Sequence, residues 1–175
     1  MCITDFDARH ARFRVEESAA FLSQLKRHEG EHREGGRHVA YRCPAGALTI
    51  GWGHNLDAKP VRGLGPGSSL SDAEAESLLR ADLAELAFLL DTRMPWWRGL
   101  GSARAAALLD MAFNLGLSGL LGFGRMLAAA RAQRFDEAAA EMLDSRWAAQ
   151  VGRRAHELAA QMRHGCWPDH KENPA

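Results

Sequence analysis

Three side chains between residues 25 and 55 have the types and the spacing for chemistry. Glu29 ends the first predicted helix, while Cys43 lies in a predicted turn and Thr49 in the strand that follows it. An acid at a helix end therefore faces a turn that presents a thiol and a hydroxyl. Such groups can transfer protons, attack a substrate or orient a water molecule.

Local signals predict the elements that position these residues. Apolar residues at helical spacing predict an amphipathic helix over 18–29, and Gly30 is expected to end it. Two runs rich in β-branched and aromatic residues follow, over 39–42 and 48–54, and the turn-forming stretch 43–46 separates them. The pattern predicts a helix followed by a β-hairpin. The apolar stripe of the helix consists of Phe21, Leu22 and Leu25.

The rest of the chain is predicted to be mainly helical, because it is rich in Ala and Leu, whereas the first 70 residues are rich in Gly. Ser71 and Glu74 have the spacing of a capping box, which predicts the start of a long helix running to about Leu90. Gly116 is expected to end a strongly apolar helix. The later helices are predicted over 103–115, 123–132, 135–143 and 147–162.

Composition excludes several classes of protein. The chain has 175 residues, with 22 basic and 22 acidic side chains, so no net charge draws it to nucleic acid or acidic lipid. We expect no membrane span, since no apolar run approaches the ~20 residues required, and no leader, since charges run through residues 1–26. Cys2, Cys43 and Cys166 are predicted to be free thiols, and their spacing does not match a zinc site.

Several motifs, in the same order along about 150 residues, resemble the bacteriophage-type lysozyme (endolysin) family, in particular the T-even phage enzymes. The first is Glu29-Gly, then Tyr41-x-Cys43, then Thr49-Ile-Gly-Trp-Gly-His54. The later ones are Met111-Ala-Phe-Asn-Leu-Gly116 and Ser145-Arg-Trp-x-x-Gln150.

The resemblance implies an α+β fold that is mostly α. A small β-hairpin lobe over about 30–70, a long connecting helix and a helical C-terminal lobe over about 71–167 would make one lysozyme-like domain, 18–175, with the substrate cleft between the lobes. Residues 1–17 would be an N-terminal extension.

The resemblance also implies a muramidase, which hydrolyses the β-1,4 bond between N-acetylmuramic acid and N-acetylglucosamine. Glu29 would be the general acid, and a water held by Cys43 and Thr49 would attack from the other face, with inversion as the default outcome. A carboxyl at a helix C-terminus among apolar neighbours is favoured in its protonated form.

Glu34 is the rival acid, because Glu34-Gly reproduces the usual family spacing to Tyr41 without an insertion. Helix register favours Glu29, since four residues before Glu34 stands Gly30, a helix stop, rather than an apolar residue. An extension in an exposed loop costs little, whereas each buried side chain lost from the stripe costs ~1.5–3 kcal/mol. We therefore choose Glu29.

Cys43 stands where many relatives carry aspartate and others carry cysteine. A free thiol is mostly protonated at neutral pH, so it does not simply inherit the role of a carboxylate. It could be a thiolate that orients water, a nucleophile, or a small residue that packs well in the turn.

Further residues take roles from the resemblance. His54 would pair with Asp82 as a structural ion pair. Four cleft positions that would bind substrate are Phe113, Asn55, Met126 and Glu141, the last three with residue types that depart from the T-even pattern. A cluster of arginines suits either an anionic wall or a solvated helix face. The cluster consists of Arg146, Arg153, Arg154 and Arg163.

Peptidoglycan is the expected partner, and no cofactor or metal is implied. The protein is expected to act as a monomer, to accumulate in the host cytoplasm, and to reach the periplasmic wall with the help of a holin. The alternatives are a peptidoglycan-binding module with weakened catalysis, a lytic transglycosylase, and a secreted antibacterial effector with the same chemistry.

Overall fold

The computed structural model describes residues 14–168 and shows the α+β, mostly α fold that was predicted. The chain divides into two compact units, one formed by Glu16–Glu85 and the other containing the chain from Leu86 onward. The α-helices are α1 (Ala19–Glu29), α2 (Asp72–Arg93), α3 (Ser102–Leu121), α4 (Gly124–Arg131), α5 (Phe135–Leu143), α6 (Arg146–Val151) and α7 (Arg153–His164). The strands are β1 (Arg33–Glu34), β2 (Arg37–Val39), β3 (Tyr41–Arg42), β4 (Leu48–Ile50), β5 (His54–Asn55) and β6 (Ser69–Leu70).

The first helix forms where the apolar stripe predicted it. Ser18 is its N-cap, and the three stripe residues are buried. Gly30 ends the helix with a φ of +66°, a conformation that costs glycine little, and its N–H donates to Lys26 O at 3.1 Å. Of the predicted N-terminal extension, residues 1–13 lie outside the described part, and Val15–Glu17 form a 3-10 turn with Val15 buried.

Two small antiparallel sheets follow α1, with strand orders β1-β2-β6 and β3-β4-β5. The second sheet is the predicted hairpin with one further short strand. The first was not predicted as a sheet, because the insertion after α1 was expected to be an exposed loop. Its β1 and β2 meet at a turn formed by Gly35 and Gly36, whose φ values of +54° and +79° suit a two-residue hairpin.

The capping box at the start of α2 is present. Glu74 Oε2 accepts the N–H of Ser71 at 2.7 Å, and Ser71 Oγ accepts the N–H of Glu74 at 3.4 Å. The first turn of α2 also packs closely on the end of β4. Gly51 has a φ of +64°, and a Cβ atom at this position would lie 3.4 Å from Ala75 Cβ.

The second unit is built around α3, whose backbone is interrupted at the predicted Gly116, where φ is +73°. Contrary to the sequence expectation, α3 is long and apolar enough, by length and composition alone, to cross a membrane. Core helices meet the same criteria, and half of its apolar window is buried inside the protein. Asp110 on this helix is fully buried and bonds Arg154 of α7 at 2.7 Å, so we assign α3 to the core.

The remaining helices pack against one another, with α5 against α4 and α7, and α7 against α3. Trp147 is buried, donates its indole N–H to Asn114 Oδ1 at 2.8 Å, and meets Phe123 edge to face. Cys166, near the end of the described chain, is disulfide-bonded, so the prediction of a free thiol is wrong there.

Candidate active site

Glu29 is the last residue of α1, so its position is set by the docking of the helix stripe. The side chain is half-buried, and its Oε1 atom is shielded from solvent. Three basic residues occupy the last helical turn beside it, Lys26, Arg27 and His28. A half-buried carboxyl at the end of a helix can exchange a proton with a bound substrate.

Glu34, the rival acid, lies in a different environment. It is an exposed residue of β1, opposite Arg37 and directly before the Gly35–Gly36 turn. The helix ends at Glu29 and does not continue to Glu34, as helix register predicted. Which of the two is the catalytic acid stays a prediction.

Cys43 opens a tight turn that surrounds its sulfur with hydrogen-bond donors. The turn is closed by Gly46 N–H donating to Cys43 O at 2.7 Å and by Cys43 N–H donating to Ala47 O at 3.0 Å. The backbone N–H of Ala45 makes the largest contribution to a lowered pKa of the Cys43 thiol. Donors from Ala47, Gly46 and the Thr49 hydroxyl add to this effect, and partial burial opposes it.

These hydrogen-bond donors around the Cys43 sulfur were not predicted from the sequence. The sequence shows only a turn-forming Cys-Pro-Ala-Gly, and the orientation of its N–H groups depends on the closed geometry. The consequence is chemical, because donors directed at sulfur favour the thiolate, the form that can orient or attack. Cys43 is a half-buried free thiol in the described part of the chain.

Thr49 lies on β4 with its side chain 6% exposed. Its Oγ1 donates to Ala47 O at 3.1 Å and is also within hydrogen-bonding reach of the Cys43 sulfur. A hydroxyl has one proton, so Thr49 can give it either to the carbonyl or to the sulfur, and its lone pairs remain available to a water molecule.

Tyr41 lies next to Thr49, and no role was predicted for it. It is the cross-strand partner of Thr49. Burial raises the pKa of its phenol, and the negative charges of Cys43 and Glu29 raise it further. Tyr41 therefore lies beside Thr49 across the strands, and its phenol responds to charge on Cys43 and on Glu29. Cross-strand register is the signal that could have identified it.

The predicted pair of His54 and Asp82 is present. His54 Nδ1 lies 2.7 Å from Asp82 Oδ2, and Nε2 lies 2.9 Å from the carbonyl oxygen of Lys59. Both ring nitrogens lie within hydrogen-bonding distance of an oxygen atom. The Lys59 ammonium bonds Asp82 at 3.4 Å and Glu85 at 2.8 Å, so this group of charges ties β5 and its following loop to α2.

The four predicted substrate positions do not share one environment. Met126 and Glu141 line the same open pocket of about 580 Å³ in the second unit. Met126 is buried, and Glu141 pairs with Arg125 at 3.0 Å. Phe113 is half-buried on α3, and Asn55 belongs to the first unit. Its side-chain oxygen accepts the N–H groups of Asp57 and Ala58, both at 3.0 Å.

The predicted arginine cluster is not a free basic surface. The prediction that Arg154 lies on the surface is wrong, because its side chain is buried and bonded to Asp110. Two other members are paired with carboxylates, Arg153 with Glu157 at 3.0 Å and Arg163 with Asp136 at 3.2 Å. Within residues 14–168, no group of three His, Cys, Asp or Glu side chains could hold a metal ion.

Comparison with known proteins places the chain in a family. The model of the family described as phage lysozyme matches residues 31–164, a range that begins just after Glu29. The chain is 30% identical over 141 residues to the pre-baseplate central spike protein Gp5 of Enterobacteria phage T4, which covers 70% of this chain and 24% of that protein. It is 32% identical over 97 residues to an endolysin of Acyrthosiphon pisum secondary endosymbiont phage 1, covering 55% of this chain and 58% of the endolysin.

The chain therefore spans about a quarter of one relative and somewhat more than half of the other. The family match extends over most of the present chain, from the first strand through the last helix. On this evidence, the protein belongs to the phage lysozyme family.

Proposed function

We propose that this protein is a peptidoglycan-degrading muramidase, a lysozyme or endolysin that hydrolyses the β-1,4 bond between N-acetylmuramic acid and N-acetylglucosamine. The observation that carries the proposal is the half-buried Glu29 carboxyl at the end of α1, its Oε1 shielded from solvent, in the same unit as the tight Cys43 turn and Thr49 on β4. Membership of the phage lysozyme family and a relative named endolysin support the same reaction.

In the proposed reaction, Glu29 donates its proton to the glycosidic oxygen as the bond to the anomeric carbon breaks. A water molecule held by the Thr49 hydroxyl and the Cys43 sulfur attacks the oxocarbenium-like centre from the opposite face. The water gives a proton to the Cys43 thiolate as its bond to carbon forms, and the product has the inverted configuration. This route needs roughly 6.5–9.5 Å between the acid and the group that activates the water.

The donors around Cys43 give the thiol a role that a free cysteine would not have. Because they lower its pKa, more of the sulfur is thiolate near neutral pH than in an unperturbed cysteine. A thiolate beside Thr49 can accept a hydrogen bond from the attacking water, which is the role of aspartate in many relatives. Attack by the sulfur itself would instead give retention of configuration.

The positions proposed to contact substrate are Phe113, Asn55, Met126 and Glu141, of which Met126 and Glu141 line the pocket in the second unit. An open pocket with a few polar groups among apolar ones is a common form of ligand site. We further propose that the protein acts as a monomer, is held in the host cytoplasm, and depends on a holin to reach the periplasmic wall for phage release.

The test is the clearing of turbidity in a suspension of permeabilised Gram-negative cells, with three variants compared side by side. Glu29→Gln keeps the shape of the side chain but cannot donate the proton, so its rate should fall at least about 100-fold. Glu34→Gln is the matched control and should keep the parent rate. Cys43→Ser should lose most of its activity.

Loss of activity in Glu34→Gln alone would refute the choice of Glu29, and full activity in Cys43→Ser would reduce the thiol to a packing role. Wall binding without clearing would identify a binding module instead of an enzyme. Analysis of the products would separate a muramidase, which leaves reducing ends, from a lytic transglycosylase, which leaves anhydromuramyl ends.

A further inference from the structure

The side chain of Lys26 attaches the last turn of α1 to two other elements. Its Nζ lies 2.6 Å from Glu76 Oε2 on α2 and 4.1 Å from the centroid of the Trp52 ring. Trp52 belongs to the turn between β4 and β5 and is 6% exposed. A carboxylate and an aromatic face each attract an ammonium, so together they hold it in one direction. Lys26 therefore links the end of α1 to the hairpin and to α2.

Both partners of Lys26 are themselves held in place. The ring of His38, a buried residue of β2, meets the Trp52 ring edge to face, with ring centroids 4.4 Å apart. The other oxygen of Glu76, Oε1, accepts bonds from Arg80 Nε at 3.0 Å and Arg80 Nη2 at 2.7 Å. The bond to Lys26, followed by that to Arg80, lowers the pKa of Glu76. The Lys26 ammonium thus meets an ordered ring and an ionised carboxylate.

The turn that Lys26 holds is the one that carries the proposed acid. Glu29 follows Lys26 by three residues, and the last buried residue of α1 is Leu25, four residues before Glu29. Helix ends fray where tertiary contacts are few, so a contact beyond Leu25 restrains the acid more than the buried stripe does. On the hairpin side, Thr49 lies on β4 three residues before Trp52.

We propose that Lys26 is a positioning residue of the muramidase site, whose contacts with Trp52 and Glu76 fix the Glu29 carboxyl at its working distance from Thr49 and Cys43. The proposal rests on the function proposed above. The inverting route requires a set separation between the acid and the group that activates the water, and a shift of about 1 Å can cost about 100-fold in rate. Lys26 acts through Glu29 and transfers no proton.

The activity test compares Lys26→Met with Lys26→Arg on soluble peptidoglycan fragments. Methionine keeps an unbranched apolar stem but has no ammonium, so kcat should fall about 10-fold while KM stays within about threefold. Arginine can stack on Trp52 and bond Glu76, so it should restore kcat to within about threefold of the parent. The matched control is Arg134→Met, which breaks a 2.6 Å ion pair with Glu137 in the second unit and should keep the parent kcat.

An independent test measures the last turn of α1 and needs no activity. The N–H of Gly30 donates to Lys26 O at 3.1 Å, so hydrogen exchange of the Gly30 amide, followed by NMR, reports the opening of this turn. In Lys26→Met, the amide should exchange at least about fivefold faster than in the parent. Its rate should be unchanged in Lys26→Arg and in Arg134→Met. An equal acceleration at the amide of Leu25 would overturn the local role.

The two tests separate this proposal from the muramidase reaction. A parent protein without muramidase activity would refute the proposed function, and the exchange of Gly30 would still show whether Lys26 holds the turn. An active parent with an equally active Lys26→Met variant, or with no rescue by Lys26→Arg, would overturn the positioning role alone. If Lys26→Met does not fold, Glu76→Gln takes its place, and an unchanged exchange rate at Gly30 in that variant overturns the proposal.

Discussion

Replacing His54 with Asn would remove an imidazole whose two ring nitrogens each bond an oxygen atom. The imidazole bonds the carboxylate of Asp82 at 2.7 Å on one side and the backbone carbonyl of Lys59 at 2.9 Å on the other. His54 is 5% exposed and Asp82 is 14% exposed, so water replaces neither bond well. Asparagine can still offer an N–H to Asp82, but its shorter side chain does not also reach the carbonyl.

The expected destabilisation follows from these contacts. Weakening the hydrogen bond to the Asp82 carboxylate costs about 1–1.5 kcal/mol, and the lost bond to the carbonyl costs about the same. The free energy of unfolding should therefore fall by about 2–3 kcal/mol. For a chain of this size each kcal/mol lowers the melting temperature by about 2–4 °C, so the variant should melt about 4–12 °C below the parent.

Calorimetry or thermal circular dichroism would measure this shift, and kcat measured well below the transition should stay within about threefold of the parent. An Asp82→Asn variant and the double variant complete a thermodynamic cycle, in which the coupling energy should be about 1–2 kcal/mol. A 100-fold fall in kcat with an unchanged melting temperature would refute the structural role and make the imidazole a catalytic group.

Two further predictions use single residues with shifted pKa values. Cys43 should react with iodoacetamide at pH 7.5 faster than an unperturbed thiol, because its pKa is lowered, and activity should be lost in parallel with labelling of that peptide. Thr49→Val should slow the labelling about two- to fivefold, and labelled protein that keeps its activity would contradict a role in the site. Burial lowers the pKa of His38, so the unfolded chain takes up this proton first and stability should fall as pH drops from 7 to 5, by at most about 1.4 kcal/mol per pH unit. His38→Gln should remove this dependence in urea titrations, whereas the exposed control His32→Gln should retain it.

Features encoded by neighbouring residues could be predicted from the sequence. The stripe and stop of α1, the capping box at Ser71 and the break at Gly116 all depend on contacts within a few positions along the chain. β1 and the first two residues of β2 were not predicted as strands, because no local pattern of this kind marks them. These two strands are only two and three residues long and mostly charged, so no alternation of apolar and polar residues predicts them.

The candidate site could be predicted only in part. Glu29, Cys43 and Thr49 stand out by type and spacing, but the donors around the sulfur depend on how the turn closes, and the position of Tyr41 depends on strand register. Arg154 was assigned to a surface cluster because its partner on α3 lies 44 residues earlier in the chain. Two residues so far apart in the sequence leave no local pattern from which their contact could be predicted.

The contact between Gly51 and Ala75 links the first turn of α2 to the geometry of β4. Thr49 lies two residues before Gly51, so a branched side chain at position 75 would push on the strand that holds the hydroxyl. Ala75 is 1% exposed and would touch no glycan. In a mutational scan scored by lysis, position 75 should therefore tolerate glycine or serine better than valine or leucine, and such a scan would mark a site of indirect control over turnover.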